Sequence, residues 1–172
     1  MTNKYEEKLN NLKKFDKKDR SSFSYWFNHW KAFQLVALSC NAWKFKYLFH
    51  DIEKPFIRLF CKYEIVQKFH RRNNNHHPEW LDYKFSKLKG FPLEEDINVI
   101  FDKYDYDGTI IDWECGHYTK NAATLSAVDE YKKLFGSYIA FQEKYPNIAF
   151  YCYNRFSQNL METIKKLGLE NG

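Results

Sequence analysis

The sequence predicts an all-α fold, a single-domain helical bundle, and three observations support that prediction. The chain has 172 residues, the usual size of one compact domain. Hydrophobic residues make up 44% of it, which is too apolar for a disordered protein. It contains only 6 glycines and 4 prolines, too few for the many turns of a β-sandwich or β-barrel. Helices joined by short loops therefore fit the composition best.

The N-terminal half contains several segments in which apolar residues recur at helical spacing. We expect an amphipathic opening helix at 4–15, followed by a central buried helix with Ser21 or Ser22 as its N-cap. A further helix is expected at 43–53. Pro55 suits the first turn of the next helix, which should run unbroken through "FIRLFCKYEIVQKFHRR" until the Asn-rich stretch "NNNHHPEW" ends it.

The C-terminal half predicts a short helix at 79–88 and a second helix in "FPLEEDINVIFDKYD", where proline and acidic residues mark the start. Two more helices are expected in "GTIIDWECGHYTK" and "TLSAVDEYKKLFGSYIAFQEKY", the latter with Thr124 or Ser126 near its N-cap. A final helix is expected at 157–167, and Gly168 should stop it. Neither an internal repeat nor a linker is visible in the sequence.

The net charge of +5 is a modest surplus that can attract anionic ligands such as nucleotides. No continuous basic stripe interleaved with aromatic residues appears in the sequence. Nucleic acid is therefore a possible partner but not the favoured one. A small-molecule phosphate ester or nucleotide fits the charge better, and the oligomeric state is left open.

The cysteines and the N-terminus suggest a compartment. The four cysteines are far apart and form no CxxC pair, so a zinc ribbon is not expected and free thiols are the simplest interpretation. The first residues mix acidic and basic side chains, unlike a signal peptide, and no run of about 18 apolar residues suggests a membrane span. We therefore expect a cytoplasmic protein that does not insert into membranes.

Histidines and two aspartates provide the strongest chemical signal. Five of the six histidines fall between positions 29 and 77, and Asp112 follows two isoleucines in an apolar segment. Burying that many ionisable groups is unfavourable unless something coordinates them, and imidazoles with carboxylates from several helices could hold one or two divalent metals. A set of unrelated surface and core histidines is the open alternative. The candidate metal ligands are His29, His50, Asp51, His70, His76, His77 and Asp112.

The order of these residues resembles the HD superfamily of helical metal-dependent phosphohydrolases, with a His, then a His-Asp pair, then a distant Asp. The stretch "HDIEK" is similar to the HD-x-x-K pattern of that group. Over 25–135 the chain also resembles an uncharacterised bacterial and phage family related to HD domains. That family shows "H-x-x-x-N-x-H-H" before a Trp and then "DW", matched here by His70, Asn74, His76, His77, Trp80, Asp112 and Trp113. Two departures are Pro55, which interrupts an expected Lys-Phe pair, and the "ECGHYTK" that follows Trp113.

The resemblance implies an HD-like domain over 1–172, with an N-terminal helix at 1–20, a metal-site core at 25–135 and C-terminal helices at 136–172. It implies hydrolysis of a nucleotide or other phosphate ester by a metal-activated water, with Mn, Mg, Co, Ni, Zn or Fe as the metal. Asp51, able to bridge two ions, and Lys54 are the implied catalytic residues. The implied substrate-binding residues are Lys54, Arg71, Arg72, Asn74 and Trp80. The main role expected of Asn74 is to cap the turn that orients His76 and His77. Trp80 and Trp113 could form part of the pocket wall.

Three other function classes stay open. Some HD-fold proteins with four His and two Asp ligands are di-iron oxygenases, and this chain offers that ligand count. A non-catalytic metal-binding regulator is the second alternative. The third is a calcium module, because residues 103–114 fit much of an EF-hand loop. Its first position is Lys103 instead of Asp, however, so a turn at Asp107 and Gly108 is the preferred interpretation there. His117, the sixth histidine, is expected at the surface or behind the ligands.

Overall fold

The computed structural model describes residues 3–90, 92–121 and 126–170, and in these ranges it confirms an all-α, single-domain fold. No strand occurs within them, and an isolated bridge between Phe15 and Lys120 ties the N-terminal segment to the end of a central helix. The division at 1–20, 25–135 and 136–172 stays a prediction. The α-helices of the described ranges are α1 (Asn3–Asn10), α2 (Phe23–Ser39), α3 (Glu53–Arg58), α4 (Tyr63–Asn73), α5 (Pro78–Phe85), α6 (Glu94–Asp102), α7 (Tyr106–Thr119), α8 (Ala127–Phe135), α9 (Tyr138–Lys144) and α10 (Pro146–Lys166).

Helices α2 and α7 form the centre of the bundle and pack against each other. The Ser22 hydroxyl accepts the Tyr25 N–H at 3.1 Å, so Ser22 is the N-cap of α2, one of the two predicted candidates. Burial on nearly all sides of α7 explains why its apolar residues show no single face: Ile110, Ile111 and Cys115 are all fully buried. The predicted central helix is therefore one of two.

Two helices predicted between 43 and 72 are wrong in their boundaries. The segment expected as a helix at 43–53 is a 3₁₀ turn at Phe45–Phe49, followed by a sharp turn. The indole N–H groups of Trp26 and Trp30, both on α2, bond the carbonyl oxygens of Asp51 and Leu48 at 2.8 and 3.0 Å. These two carbonyl oxygens therefore accept hydrogen bonds from side chains of another helix instead of extending an α-helix of their own segment.

The helix expected to run unbroken after Pro55 is divided, since α3 ends at Arg58 and α4 begins only at Tyr63. The opening helix also ends earlier than expected, at Asn10, because Phe15 makes backbone hydrogen bonds to the end of α7 and not to its own turn. In both places contacts with distant parts of the chain override local helical spacing.

The C-terminal segments are also divided differently. One expected helix is two, α8 and α9, separated at Gly136 and Ser137, and the Ser137 hydroxyl caps α9. Ser126 is the N-cap of α8, whereas Thr124 lies outside the described residues. The last helical element begins at Pro146, where the Asp82 carboxylate accepts the N–H groups of the first turn. It is kinked at Cys152, whose backbone angles are not helical, so its second part begins close to the predicted start at 157. It stops before Gly168, whose φ of 68° is the expected left-handed cap.

Among the described residues, none of the helices combines the length and the apolar character that crossing a membrane would require. The compartment of the protein stays a prediction.

Candidate metal centre

The seven predicted ligands lie together at the junction of five segments. His29 comes from α2, His70 from α4 and Asp112 from α7, whereas the other four lie on two non-helical connections. His50 and Asp51 occupy the turn before α3, and His76 and His77 precede α5, with His77 as its N-cap. All except Asp112 are buried, and the Asp112 side chain is 19% exposed. We call this set the metal centre.

One side of the metal centre is formed by His29, His50 and Asp112. The His29 Nε2 lies 2.9 Å from Asp112 Oδ1, and the His50 Nε2 lies 3.7 Å from the same oxygen. One ligand atom from each of the three residues falls within 4.8 Å of the other two. That separation is compatible with a single ion held among them.

The other side is formed by His70, His76 and His77, whose ligand atoms also lie within 4.8 Å of one another. The Nε2 atoms of His70 and His77 are 2.7 Å apart. Two imidazole nitrogens this close share either a proton or a cation, since two lone pairs at that distance repel. A third group of the same kind, His50 with Asp51 and His76, connects the two sides.

Asp51 is the shared carboxylate of the metal centre. Its Oδ1 lies 3.0 Å from His70 Nε2 and 3.5 Å from His50 Nε2, and its Oδ2 lies 3.7 Å from His29 Nε2 and is bonded by Lys54. Its backbone has a φ of 60°, a conformation that non-glycine residues adopt rarely and that clusters at functional sites. Asp51 is therefore in contact with both halves, as a bridging ligand must be.

The protonation of the centre favours metal binding. Burial would raise the pKa of Asp51, but His50, Lys54 and His70 hold it well below the usual range, and His29 and His50 do the same for Asp112. Burial lowers the pKa of His29, and it lowers those of His76 and His77 strongly, whereas Asp51 and Glu53 raise the pKa of His70 against the effect of its burial. Anionic carboxylates and neutral imidazoles are the forms that bind metals.

Several polar atoms of the centre have no hydrogen-bond partner although they are buried. They include His50 Nε2, His76 Nε2, His29 Nδ1 and one oxygen of Asp51. Buried polar atoms are nearly always bonded, and a group of unbonded nitrogen and oxygen atoms gathered in one place fits a binding site for a cation. The donor set therefore fits one or two divalent ions, with Asp51 between them.

Glu53 is a residue of the site that the sequence analysis missed. Its carboxylate accepts a hydrogen bond from His70 Nδ1, and Asn74 Nδ2 donates to the same oxygen at 3.0 Å. With Nδ1 donating to Glu53, the Nε2 of His70 presents its lone pair to the centre. The sequence signal was present in "HDIEKP", where Glu53 stands between two implicated residues, but only the fold shows that it faces His70.

A cavity of about 300 Å³ opens beside the centre, and we call it the inner cavity. His77, Asp112 and Trp113 form part of its wall, so it connects the candidate ligands with the surroundings. Its cationic residues are Arg71, Lys120, Lys133 and Lys144.

The predicted substrate-binding residues lie in different places. Lys54 reaches Asp51, and Arg71 lines the inner cavity. Arg72 does not line it, because its guanidinium lies 3.9 Å from the centroid of the Tyr83 ring. Asn74 bonds Glu53 and the His70 carbonyl, behind the ligands, and Trp80 is buried in the hydrophobic core near Tyr104. A role in substrate binding stays a prediction for all five.

The EF-hand-like segment does not form a calcium loop. Most of it is helical from Tyr106 onward, so its acidic residues cannot wrap around one cation. Asp105 caps α7 through the Gly108 N–H, and the carboxylate of Glu114 accepts the Ala127 N–H at 2.8 Å. Gly108 is needed here, since a Cβ would lie 2.5 Å from the Asp105 carboxylate. His117 is half-buried and joins none of the candidate ligand groups.

Comparison with known proteins places the chain in no family. No family model, no curated protein and no solved structure matches it.

Proposed function

We propose that the protein is an HD-like, metal-dependent phosphohydrolase that acts on a nucleotide or another phosphate ester. The observation that carries the proposal is the contact between the metal centre and the inner cavity. Two candidate ligands, His77 and Asp112, line a cavity that also contains four cationic side chains and two glutamates, Glu79 and Glu130. A phosphate bound there would meet positive charge on one side and the candidate metal ligands on the other.

Divalent ions at this centre would supply a water of lowered pKa and neutralise the negative charge that develops at phosphorus. The residues of the chain have separate tasks. Glu53 holds His70 in one tautomer, and Lys54 fixes one oxygen of Asp51 so that the other faces His70 and His50. Arg71 and Lys144 lie at the inner cavity, where they can hold the phosphate oxygens.

The donor set narrows the choice of metal. The candidate ligand groups contain five imidazoles and three carboxylates, Asp51, Asp112 and Glu53, and imidazole suits zinc, iron and nickel, whereas magnesium prefers an all-oxygen environment. Nitrogen-rich coordination is also compatible with the di-iron oxygenase alternative. The cations of the inner cavity favour hydrolysis of an anionic ester instead, because oxygen activation does not require them.

The test is metal analysis of freshly purified protein, followed by a screen of nucleotides and generic phosphodiesters with each divalent metal. We expect one or two equivalents of a transition metal and phosphate-ester hydrolysis that a chelator abolishes. A protein that carries no stoichiometric metal contradicts the proposal. Iron with a mixed-valent spectroscopic signal, oxygen consumption and no hydrolysis would instead establish the oxygenase.

A further inference from the structure

A second cavity, larger than the inner cavity, adjoins it on the outside. Its volume is about 510 Å³, and it lies between α4, α5 and the corner where α9 meets α10. The two cavities share Arg71, Glu79, Lys144 and Tyr145, so one leads into the other. We call the outer one the basic groove, defined by Lys68, Arg71, Arg72, Tyr83, Lys144 and Tyr145.

The two acidic residues of the basic groove are already engaged by other parts of the protein. Asp82 accepts the N–H groups of Asn147 and Ile148 at 2.9 and 3.1 Å and thereby caps α10. Glu79 forms an ion pair with Arg71 at 3.3 Å and interacts with the buried hydroxyl of Tyr145. Neither carboxylate is free to neutralise the remaining cations.

Those cations have no acidic partner of their own. Within the described part of the chain, Lys68, Arg72 and Lys144 form no ion pair. The Arg72 guanidinium lies over the Tyr83 ring, and Lys87 Nζ lies 4.9 Å from the centroid of the same ring. A guanidinium held flat against an aromatic ring is preorganised to bind phosphate oxygens in pairs. The groove thus presents a net positive surface with the partly exposed Tyr83, whereas Tyr145 is buried beneath it.

The cations of the two cavities start from neighbouring positions of the chain. Arg71 and Lys144 line both cavities, whereas Lys68 and Arg72 line the basic groove and not the inner cavity. Arg71 and Arg72 are consecutive residues of α4. A strand that carries several phosphates can therefore contact both cavities at once, with the partly exposed Tyr83 ring at the groove for one of its bases.

We propose that the substrate of this protein is a short single-stranded oligonucleotide, with the phosphodiester under attack in the inner cavity and the next phosphate of the strand in the basic groove. A basic groove with aromatic side chains is a typical site for single strands. The cleavage part of this inference rests on the proposed function, whereas the binding part does not. The basic groove could not be predicted from the sequence because its cations come from two distant segments, α4 and the end of α9. Arg72 and Lys144, for example, are 72 residues apart.

The reaction would be an ordinary hydrolysis without any redox change. The oxygen of water forms a bond to phosphorus, and the bond between phosphorus and the leaving sugar oxygen breaks. One proton of the water passes to that leaving oxygen, which becomes a hydroxyl group. The products are two shorter strands, one ending in a phosphate monoester and one in an alcohol.

The test measures binding separately from cleavage. A fluorescein-labelled thymidine hexamer with phosphorothioate linkages, which resist hydrolysis, is titrated with the purified protein and followed by fluorescence anisotropy. The groove variant Lys68→Ala/Arg72→Ala is compared with Lys31→Ala/Lys165→Ala, which removes two exposed lysines outside both cavities. We expect the groove variant to bind about tenfold more weakly and its log–log salt dependence to be less steep by about 1.4. The control variant should bind within about twofold of the wild type.

Equal weakening in both variants, or none in the groove variant, overturns the inference. Competition decides the ligand class: a 5′-phosphorylated thymidine dinucleotide should lose affinity in the groove variant, and thymidine triphosphate should not. The reverse result would assign the groove to a polyphosphate and overturn the proposal. An ordinary phosphodiester hexamer that binds through the groove but stays intact with metal-loaded wild type overturns the cleavage part of the inference. The proposed function itself fails when the screen of nucleotides and generic phosphodiesters also shows no hydrolysis, so the two failures are distinguishable.

Discussion

Two parts of this molecule have sequences typical of metal sites, the metal centre and the acidic segment around Asp105 and Asp107, and their surroundings differ. Asp107 is bonded by Lys44 at 2.7 Å and by Lys166 at 2.8 Å. Asp105 lies 2.8 Å from Lys46 and also caps α7. The carboxylates of Asp105 and Asp107 are thus neutralised by lysines, and that of Asp105 is also bonded by a backbone N–H group.

The metal centre lacks such compensation. Burial lowers the pKa of three of its imidazoles, those of His29, His76 and His77, and Lys54 is the one lysine or arginine in direct contact with its carboxylates among the described residues. Several of its buried nitrogens have no hydrogen-bond partner. The difference teaches that a metal-binding interpretation depends less on which residues cluster than on whether the protein already satisfies them.

We expect the largest effect on metal binding from the substitution Asp51→Asn. Within the described ranges, the shared carboxylate is the only one that contacts both halves of the centre, so we expect its removal to cause loss of stoichiometric metal and a loss of hydrolysis of at least about 100-fold. Metal content is measured by mass spectrometry and folding by circular dichroism. The matched control is Asp105→Asn, which should keep its metal. If both variants lose the metal, the two regions do not differ as we describe.

A smaller effect is expected from Glu53→Gln. The amide can still reach His70 but no longer holds its tautomer by charge, so metal affinity should fall by about 10- to 100-fold. Competition against chelators of graded strength measures this affinity. Glu64→Gln, an exposed residue on the same helix as His70, is the control and should bind metal as the wild type does. Unchanged affinity in Glu53→Gln would mean that Glu53 does not support the ligand.

The stability of the chelator-treated protein should decrease as the pH falls from about 7.5 to about 5.5. Burial lowers the pKa of His29, His76 and His77, so the unfolded chain takes up protons near the ordinary value of 6.5 while the folded chain does not. His70 opposes this, because Asp51 and Glu53 raise its pKa, but it is one group against three. Thermal unfolding measures the effect. A melting temperature that rises toward acidic pH would show that the centre is protonated when folded.

The smallest effect is expected from Asp107→Asn. Its lysine partners are largely exposed, Lys44 by 45% and Lys166 by 65% of the side chain, so solvent screens the ion pairs. We expect a loss of about 1 kcal/mol in the free energy of unfolding and no change in metal content. Chemical denaturation measures the first quantity. Calcium titration of the wild type should leave stability unchanged, and stabilisation by calcium that Asp105→Ala abolishes would restore the EF-hand interpretation.

The ligands could be predicted because an ionisable residue in an apolar segment is conspicuous. Asp112 after two isoleucines and His29 within an aromatic helix needed partners whatever the fold, and the structure brings both to one place. Glu53 was not predicted, since a glutamate near lysines is common at a surface. Trp80 was expected near the ligands because it follows them closely, but one helical turn carries it into the core.

The sequence by itself determined that the chain is helical and which seven side chains were candidates for a metal, because composition and local polarity are properties of single segments. Tertiary structure alone decided where helices break, since the Trp26 and Trp30 indoles hold two carbonyls outside a helix. It also decided that the carboxylates of the Asp105 segment have lysine and backbone N–H partners, while the turn at Asp51 contains buried polar atoms without a hydrogen-bond partner. Charge compensation depends on residues distant in sequence, such as Lys166 for Asp107, and only folding brings these together.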